Sequence, residues 1–177
     1  MTLVSDPITL HPDLPSRPAA VAVILGIGNS LLTDDGIGVH VTRAVAALGD
    51  AGWLSPGIRV LDGGTIGLSL LAEIDPDAIL IAVDAMELHA PPGTLAVFTG
   101  ADMDRQLTGN KRFAHEVALA DLMQAADLSG ILPARRALVA VQPDVTSWGL
   151  TPTPAVAATI PAAVEAILTL LQDWADE

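Results

Sequence analysis

The stretch AILIAVDA, residues 78–85, is apolar at every position except Asp84. Successive side chains of a strand point to opposite faces, so a strand apolar throughout must be covered on both sides. VAVIL, residues 21–25, has the same character and stops at Gly26, and RALVAVQP near residue 140 reads alike. IRVLDGG, ending its run at Asp62, and GTLAVFTG, after Pro91 and Pro92, give two more strands. Between these runs the apolar spacing becomes helical: Ile37, Val41, Ala44, Val45 and Leu48, then Leu119, Leu122 and Ala126 behind His115, then Val156, Ile160, Ala163, Val164, Ile167 and Leu171. Thr33 or Asp34 can cap the first of these helices, and GLSLLAEI is a short helix. Pro161 predicts a kink or restart in the last. Asp102 to Phe113 is polar and reads as a loop. Strands alternating with helices predict an α/β fold: three layers, a mostly parallel five-stranded sheet, helices on both faces.

The 177 residues fit one domain, placed at 21–177, behind a Pro-containing lead-in at 1–20 read as flexible. No apolar run approaches the ~20 residues of a membrane span. A net charge of −13 opposes binding to nucleic acid or to anionic membrane, and suits a cation or a basic partner. The chain has no cysteine, which excludes disulfides, thiolate metal sites and a cysteine nucleophile. The N-terminus lacks a basic region followed by an apolar one, so a cytoplasmic protein is expected.

Residues 25–39, LGIGNSLLTDDGIGV, join the first strand to the first helix. A glycine-rich turn there often cradles phosphate, but this one carries two adjacent acids and no basic residue. Leu31 stands where a dinucleotide fingerprint needs its third glycine, and Asp62 lies too far downstream for the ribose acid. No GK[ST] follows a glycine loop, Ser30 and Ser69 are not in a G-x-S-x-G elbow, and HEVAL has Leu119 where a zincin needs its second histidine.

In an open α/β sheet, sites form beyond the carboxyl ends of the strands. Asp34 and Asp35 follow strand one, Asp62 ends strand two, Asp84 ends strand three and His115 follows the loop after strand four. Chain order alone therefore gathers these acids and one histidine at a single edge. Clustered carboxylates repel unless they share a proton or cation, and with an imidazole they suit a divalent transition metal such as nickel or zinc. Each residue also has a plainer explanation. Asp34 can be a helix cap, Asp35 a carboxylate on the helix dipole, Asp62 a turn closer, Asp84 a loop organiser and His115 a surface residue.

The blocks GIGNSLLTDDGIGV, LDGGTIGLSLL, IAVDA, PPGTL, HEVALADLM and VQPDVTSWGLTPTPAV, in that order, resemble the hydrogenase maturation endopeptidases. The resemblance runs from about Val21 to Leu171. It implies a twisted five-stranded sheet and an endopeptidase that trims a C-terminal extension from the large-subunit precursor of a nickel–iron hydrogenase after nickel insertion. By the same resemblance, release of the tail is expected to let the terminus fold inward and close the active site. The resemblance also implies a metal-contacting triad, which falls on Asp35, Asp62 and His115, with nickel supplied by the bound precursor. Many members carry Glu where Asp35 stands, one methylene longer. The metal can act as the recognition element, as a polariser of the scissile carbonyl or as an activator of water, and one aspartate can act as general base. A non-cleaving nickel-sensing chaperone of the large subunit, and a different metal-dependent hydrolase on the same scaffold, are the competing readings.

Overall fold

A computed structural model of the chain describes residues 21–65, 67–109 and 114–175, and the lead-in at 1–20 lies outside the described residues. The strands are β1 (Ala22–Ile27), β2 (Ile58–Gly64), β3 (Ile79–Ala85), β4 (Leu95–Thr99) and β5 (Arg136–Val141). They form one five-stranded sheet in the order β2-β1-β3-β5-β4. All neighbours pair in parallel except the edge strand β4, which runs antiparallel to β5. The central strands β1 and β3 are buried at every position, as runs apolar on both faces require.

The helices are α1 (Ile37–Asp50), α2 (Gly100–Gly109), α3 (Ala114–Leu128), α4 (Pro154–Ala157) and α5 (Ile160–Ala175). Two apolar clusters show how the layers close. On one face Ile24, Ile81 and Val139 meet Ile37, Val41 and Val45 of α1, and Val156, Ala163 and Ile167 of α4 and α5. On the other, Leu25, Leu80 and Leu138 meet Met103 and Leu107 of α2, and Leu119, Leu122 and Met123 of α3. The three-layer expectation holds.

Three local expectations need correction. The polar stretch from Asp102 is a helix, α2, up to Gly109; Met103 and Leu107, one turn apart, anchor an otherwise polar segment to the sheet. Arg136 locks it further, its Nε donating to Asp104 Oδ1 at 2.9 Å. Thr33 and Asp34 do not cap α1, because the chain first makes a 3-10 turn over Thr33–Gly36 and α1 starts behind Gly36 without a side-chain cap. Within the 22 residues Pro154–Ala175 an 18-residue window reaches a mean hydropathy of 1.8, enough by length and composition to cross a membrane, contrary to the reading that no run approaches that length. The stretch is interrupted between α4 and α5, with Pro161 in the first turn after the restart, and Val156, Ala163 and Ile167 seat it on the sheet.

Candidate functional site

The chain leaves β1, passes to β2 on one side, then returns to β3 on the other. This reversal makes the carboxyl ends of β1 and β3 the switch point where open α/β sheets leave a crevice. Residues 28–36 cross that point. Their glycines serve close packing. Gly28 has φ +119°, and a Cβ there would overlap the Asp35 carbonyl oxygen. A Cβ at Gly26 would lie 2.5 Å from Gly38 O, and one at Gly38 would overlap the carbonyl oxygens of Val83 and Ile27. The first turn of α1 thus rests directly on the ends of β1 and β3 with no side chain between.

Asp34 and Asp35 sit side by side in the 3-10 turn and are both buried, yet they do different things. Asp34 holds the loop that follows β5. Its Oδ2 accepts hydrogen bonds from the backbone N–H of Asp144 and of Val145, each at 2.9 Å, and from Thr153 Oγ1 at 2.9 Å. Its Oδ1 accepts from Thr153 N–H at 2.6 Å. Thr33, at φ +45°, adds its hydroxyl to the carbonyls of Val145 and Ser147. Leu32 bridges Gly149, with Thr33 N–H donating to Gly149 O at 2.9 Å and Gly149 N–H to Leu31 O at 3.0 Å. Asp35 accepts from Asn29 N–H at 3.0 Å on Oδ2, which orients its carboxylate within the glycine block.

Asp62 and Asp84 end strands on either side of β1 but face opposite ways. Asp62 shares its parity with Ile58 and Val60, which pack on the α1 face. Its side chain is 54% exposed, lies 3.6 Å from the Arg43 guanidinium of α1, and accepts from Gly64 N–H at 3.1 Å. A register shift between Gly26 and Ile27 marks the irregular end of β2 beyond it. Asp84 shares its parity with Leu80 and Ala82, which face α2 and α3, and it is fully buried. The 3-10 turn bearing Asp35 packs against β3.

His115 lies in the first turn of α3; its side chain, and all of Lys111 and Arg112, lie outside the described residues. The backbone one turn later is fixed: a Cβ on Gly67 would sit 2.8 Å from Ala118 O, so α3 begins tight against the loop that follows β2. The expected triad therefore shares one edge of the sheet, but Asp62 faces α1 while His115 belongs to the helix covering the opposite face. Asp84 is on that helix's face. Among the described residues, no group of three or more carboxylate or imidazole side chains forms a metal cage.

His40, on α1, has its Nε2 buried with no hydrogen-bond partner among the described residues. Burial, and then the Arg43 charge, push its imidazole below the ordinary 6.5. Two features had little signal in the sequence. The Asp34 clamp has its partners more than a hundred residues away, and only the length of the loop between β5 and α4, which needs an anchor, hints at it. The other is that Trp148 and Leu150 in that loop are exposed, which their apolar type does not announce.

A family model described as hydrogenase maturation protease matches residues 42–170. The hydrogenase expression/formation protein HupD of Rhizobium leguminosarum bv. viciae is 36% identical over 168 residues, covering 94% of this chain and 82% of the relative. The hydrogenase 2 maturation protease of Escherichia coli K12 is 35% identical over 152 residues, covering 85% and 90%. The solved structure of the hydrogenase maturating endopeptidase HybD from E. coli superposes with a TM-score of 0.79 at 32% identity, over 86% of this chain and 92% of that one. The maturation protease HybD from Thermococcus kodakarensis gives 0.72 at 25% identity, over 85% and 98%. With this sheet order, this glycine-packed turn and these relatives, the chain belongs to the hydrogenase maturation protease family and is a peptidase.

Proposed function

We propose that this peptidase removes the C-terminal extension from the nickel-loaded large-subunit precursor of a nickel–iron hydrogenase. The observation that carries the reading is the pair of buried carboxylates, Asp35 and Asp84, at the switch point of a chain in this family. Carboxylates at the carboxyl edge of such a sheet, placed where a substrate enters the crevice, are groups able to contact a metal that the substrate carries or to move a proton.

In this reading the nickel is the precursor's cargo. Asp35 and His115 meet it on docking, as the family resemblance implies. Strand parity and burial favour Asp84 as the third contact, and leave Asp62, beside Arg43 and largely in solvent, at the mouth of the crevice. Carboxylates and imidazole together suit nickel, and that preference makes the loaded precursor the one that is held. Peptide hydrolysis then needs one water, a base to take its proton and an acid to return one to the leaving amine. A carboxylate at the crevice can take the first role.

The test mixes purified protein with nickel-loaded and with metal-free precursor and reads the mass of the large subunit. A single C-terminal loss confined to the loaded sample is expected. Binding without loss in either sample would make the protein a chaperone. Equal loss in both would remove nickel as the signal.

A further inference from the structure

The amino edge of the sheet, opposite the candidate site, carries a groove of about 530 Å³. β1, β2 and β3 start level there, Ala22 pairing with Ile58 and with Ile79. Trp53 and Leu54, from the turn after α1, line the groove together with Leu168 and Trp174 of α5. Arg135 joins them, its guanidinium fixed by donating to Trp174 O at 2.9 Å and to Asp77 O at 3.1 Å. Trp53 is 79% exposed, Val21 56% and Leu168 36%. Large apolar side chains left in solvent around one concavity mark a surface that something covers.

The way the chain enters the sheet says what covers it. Val21 is itself part of the lining, and its backbone is held on both sides. Its N–H donates to Gly57 O at 3.1 Å and its carbonyl accepts from Ile79 N–H at 3.0 Å. The segment before it is therefore joined to the wall of the groove. That segment reads HPDLPSRPAA over residues 11–20, with prolines at 12, 15 and 18. Polyproline II has three residues per turn, so this spacing puts the three rings on one edge. Segments of that kind dock in grooves lined by aromatic side chains. The stretch from Pro12 to Ala20 reaches about 28 Å when extended at 3.1 Å per residue, so its prolines have the length to fold back over Trp53.

We propose that the chain's own segment 12–18 is the occupant of this groove, an intramolecular strap whose Pro12, Pro15 and Pro18 pack over Trp53 and the apolar rim made by Val21 and Leu168. Two physical points favour the strap over a separate partner. A short tether presents its ligand at millimolar effective concentration, so contacts too weak to hold a free peptide suffice. The prolines also restrict the segment before it docks, which lowers the ordering cost. The groove and the carboxylates lie at opposite edges of the sheet, so the strap leaves the crevice open. What it does is bury an apolar surface that would otherwise be offered to other molecules.

The test uses the full chain with the exposed Trp148 changed, Trp148→Phe, so that Trp53 and Trp174, both in the groove, are the remaining tryptophans. Acrylamide quenching of their fluorescence is compared with that of the same chain carrying Pro12→Ser/Pro15→Ser/Pro18→Ser. A tethered segment keeps its groove occupied, so releasing it should raise the quenching constant about two-fold or more. Adding Trp53→Ser to both proteins should then remove most of the difference. Equal quenching with and without the prolines would overturn the strap. A difference that survives Trp53→Ser would also overturn it, because it would come from Trp174, as in a chain that has lost its fold. Quenching of the chain with intact prolines that rises on dilution, as a dimer dissociates in sedimentation, would put a second copy in the groove instead.

Discussion

Asp34 holds Thr153 twice, by the backbone N–H at 2.6 Å and by the hydroxyl at 2.9 Å, across 119 positions of sequence. The same carboxylate takes the N–H groups of Asp144 and Val145. It thereby fixes the start of α4 and the loop before it to the glycine block at the site. Asp34→Ala would leave these donors without an acceptor. Some can turn to water because the loop is at the surface, so the expected cost is about 2–4 kcal/mol. Asp34→Asn should be nearly as damaging, since its amide would direct N–H groups at N–H groups. Urea denaturation of both variants measures this, and a loss within a few tenths of a kcal/mol would refute the clamp.

Two glycines of α1 should respond to alanine with opposite signs. Helix propensity alone favours alanine at either by roughly 0.8–1.0 kcal/mol. At Gly38 a Cβ would overlap the carbonyls of Val83 and Ile27, both backbone atoms of central strands that cannot yield cheaply. Gly38→Ala should therefore destabilise by about 3 kcal/mol. At Gly49 the nearest atom to a Cβ is Leu54 Cδ1 at 3.4 Å, the end of a movable side chain. Gly49→Ala should be neutral or stabilising by about 0.5 kcal/mol. Thermal unfolding of the pair checks both, and equal shifts would mean that propensity rather than packing governs these sites.

This contrast also shows what the sequence could and could not disclose. Apolar runs such as AILIAVDA carry their own demand for cover on both faces, so the sheet and its layers were legible. The glycines of the first block were legible as a turn, whereas the direct contact of the helix with the strand ends that requires them was not. Met103 and Leu107 are only two apolar residues in a polar stretch, too weak a pattern to reveal α2. Asp34 looked like a cap because caps are local, whereas its real partners come from the far end of the chain. Chain order brought Asp62, Asp84 and His115 to one edge. Which face each acid takes depends on strand parity and on β2 lying outside β1, and neither can be read before the strands are paired.

His40 should give the fold a pH dependence of known sign. Its imidazole is pushed below 6.5 by burial and by Arg43, so the folded chain keeps it neutral where the unfolded chain takes a proton. Stability from this residue is complete above 6.5 and is lost as pH falls from there through the folded value. Melting temperature followed from about pH 8 to about pH 5 should fall on the acid side, and His40→Gln should fall less. Parallel curves for wild type and variant would show that His40 does not contribute.

Asp62 and Asp84 are separated most sharply by nickel-dependent binding of the precursor. Asp84 is fully buried at the end of β3, on the face covered by the helix that carries His115, and β3 is the strand that the turn carrying Asp35 packs against. Asp62 is paired with Arg43 on the other face and is more than half exposed. If the substrate's nickel is met at the switch point, Asp84→Asn should remove the preference for loaded over metal-free precursor and abolish cleavage. Asparagine keeps the volume and loses the charge, so a folded, inactive protein is the expected result. Asp62→Asn should weaken cleavage less, since it removes a partly solvated ion pair of about 0–1 kcal/mol. Affinity for both precursor forms and the mass of the product decide the matter. Loss of nickel discrimination in Asp62→Asn with Asp84→Asn unaffected would return Asp62 to the metal-contacting set and assign Asp84 to the structure of the crevice.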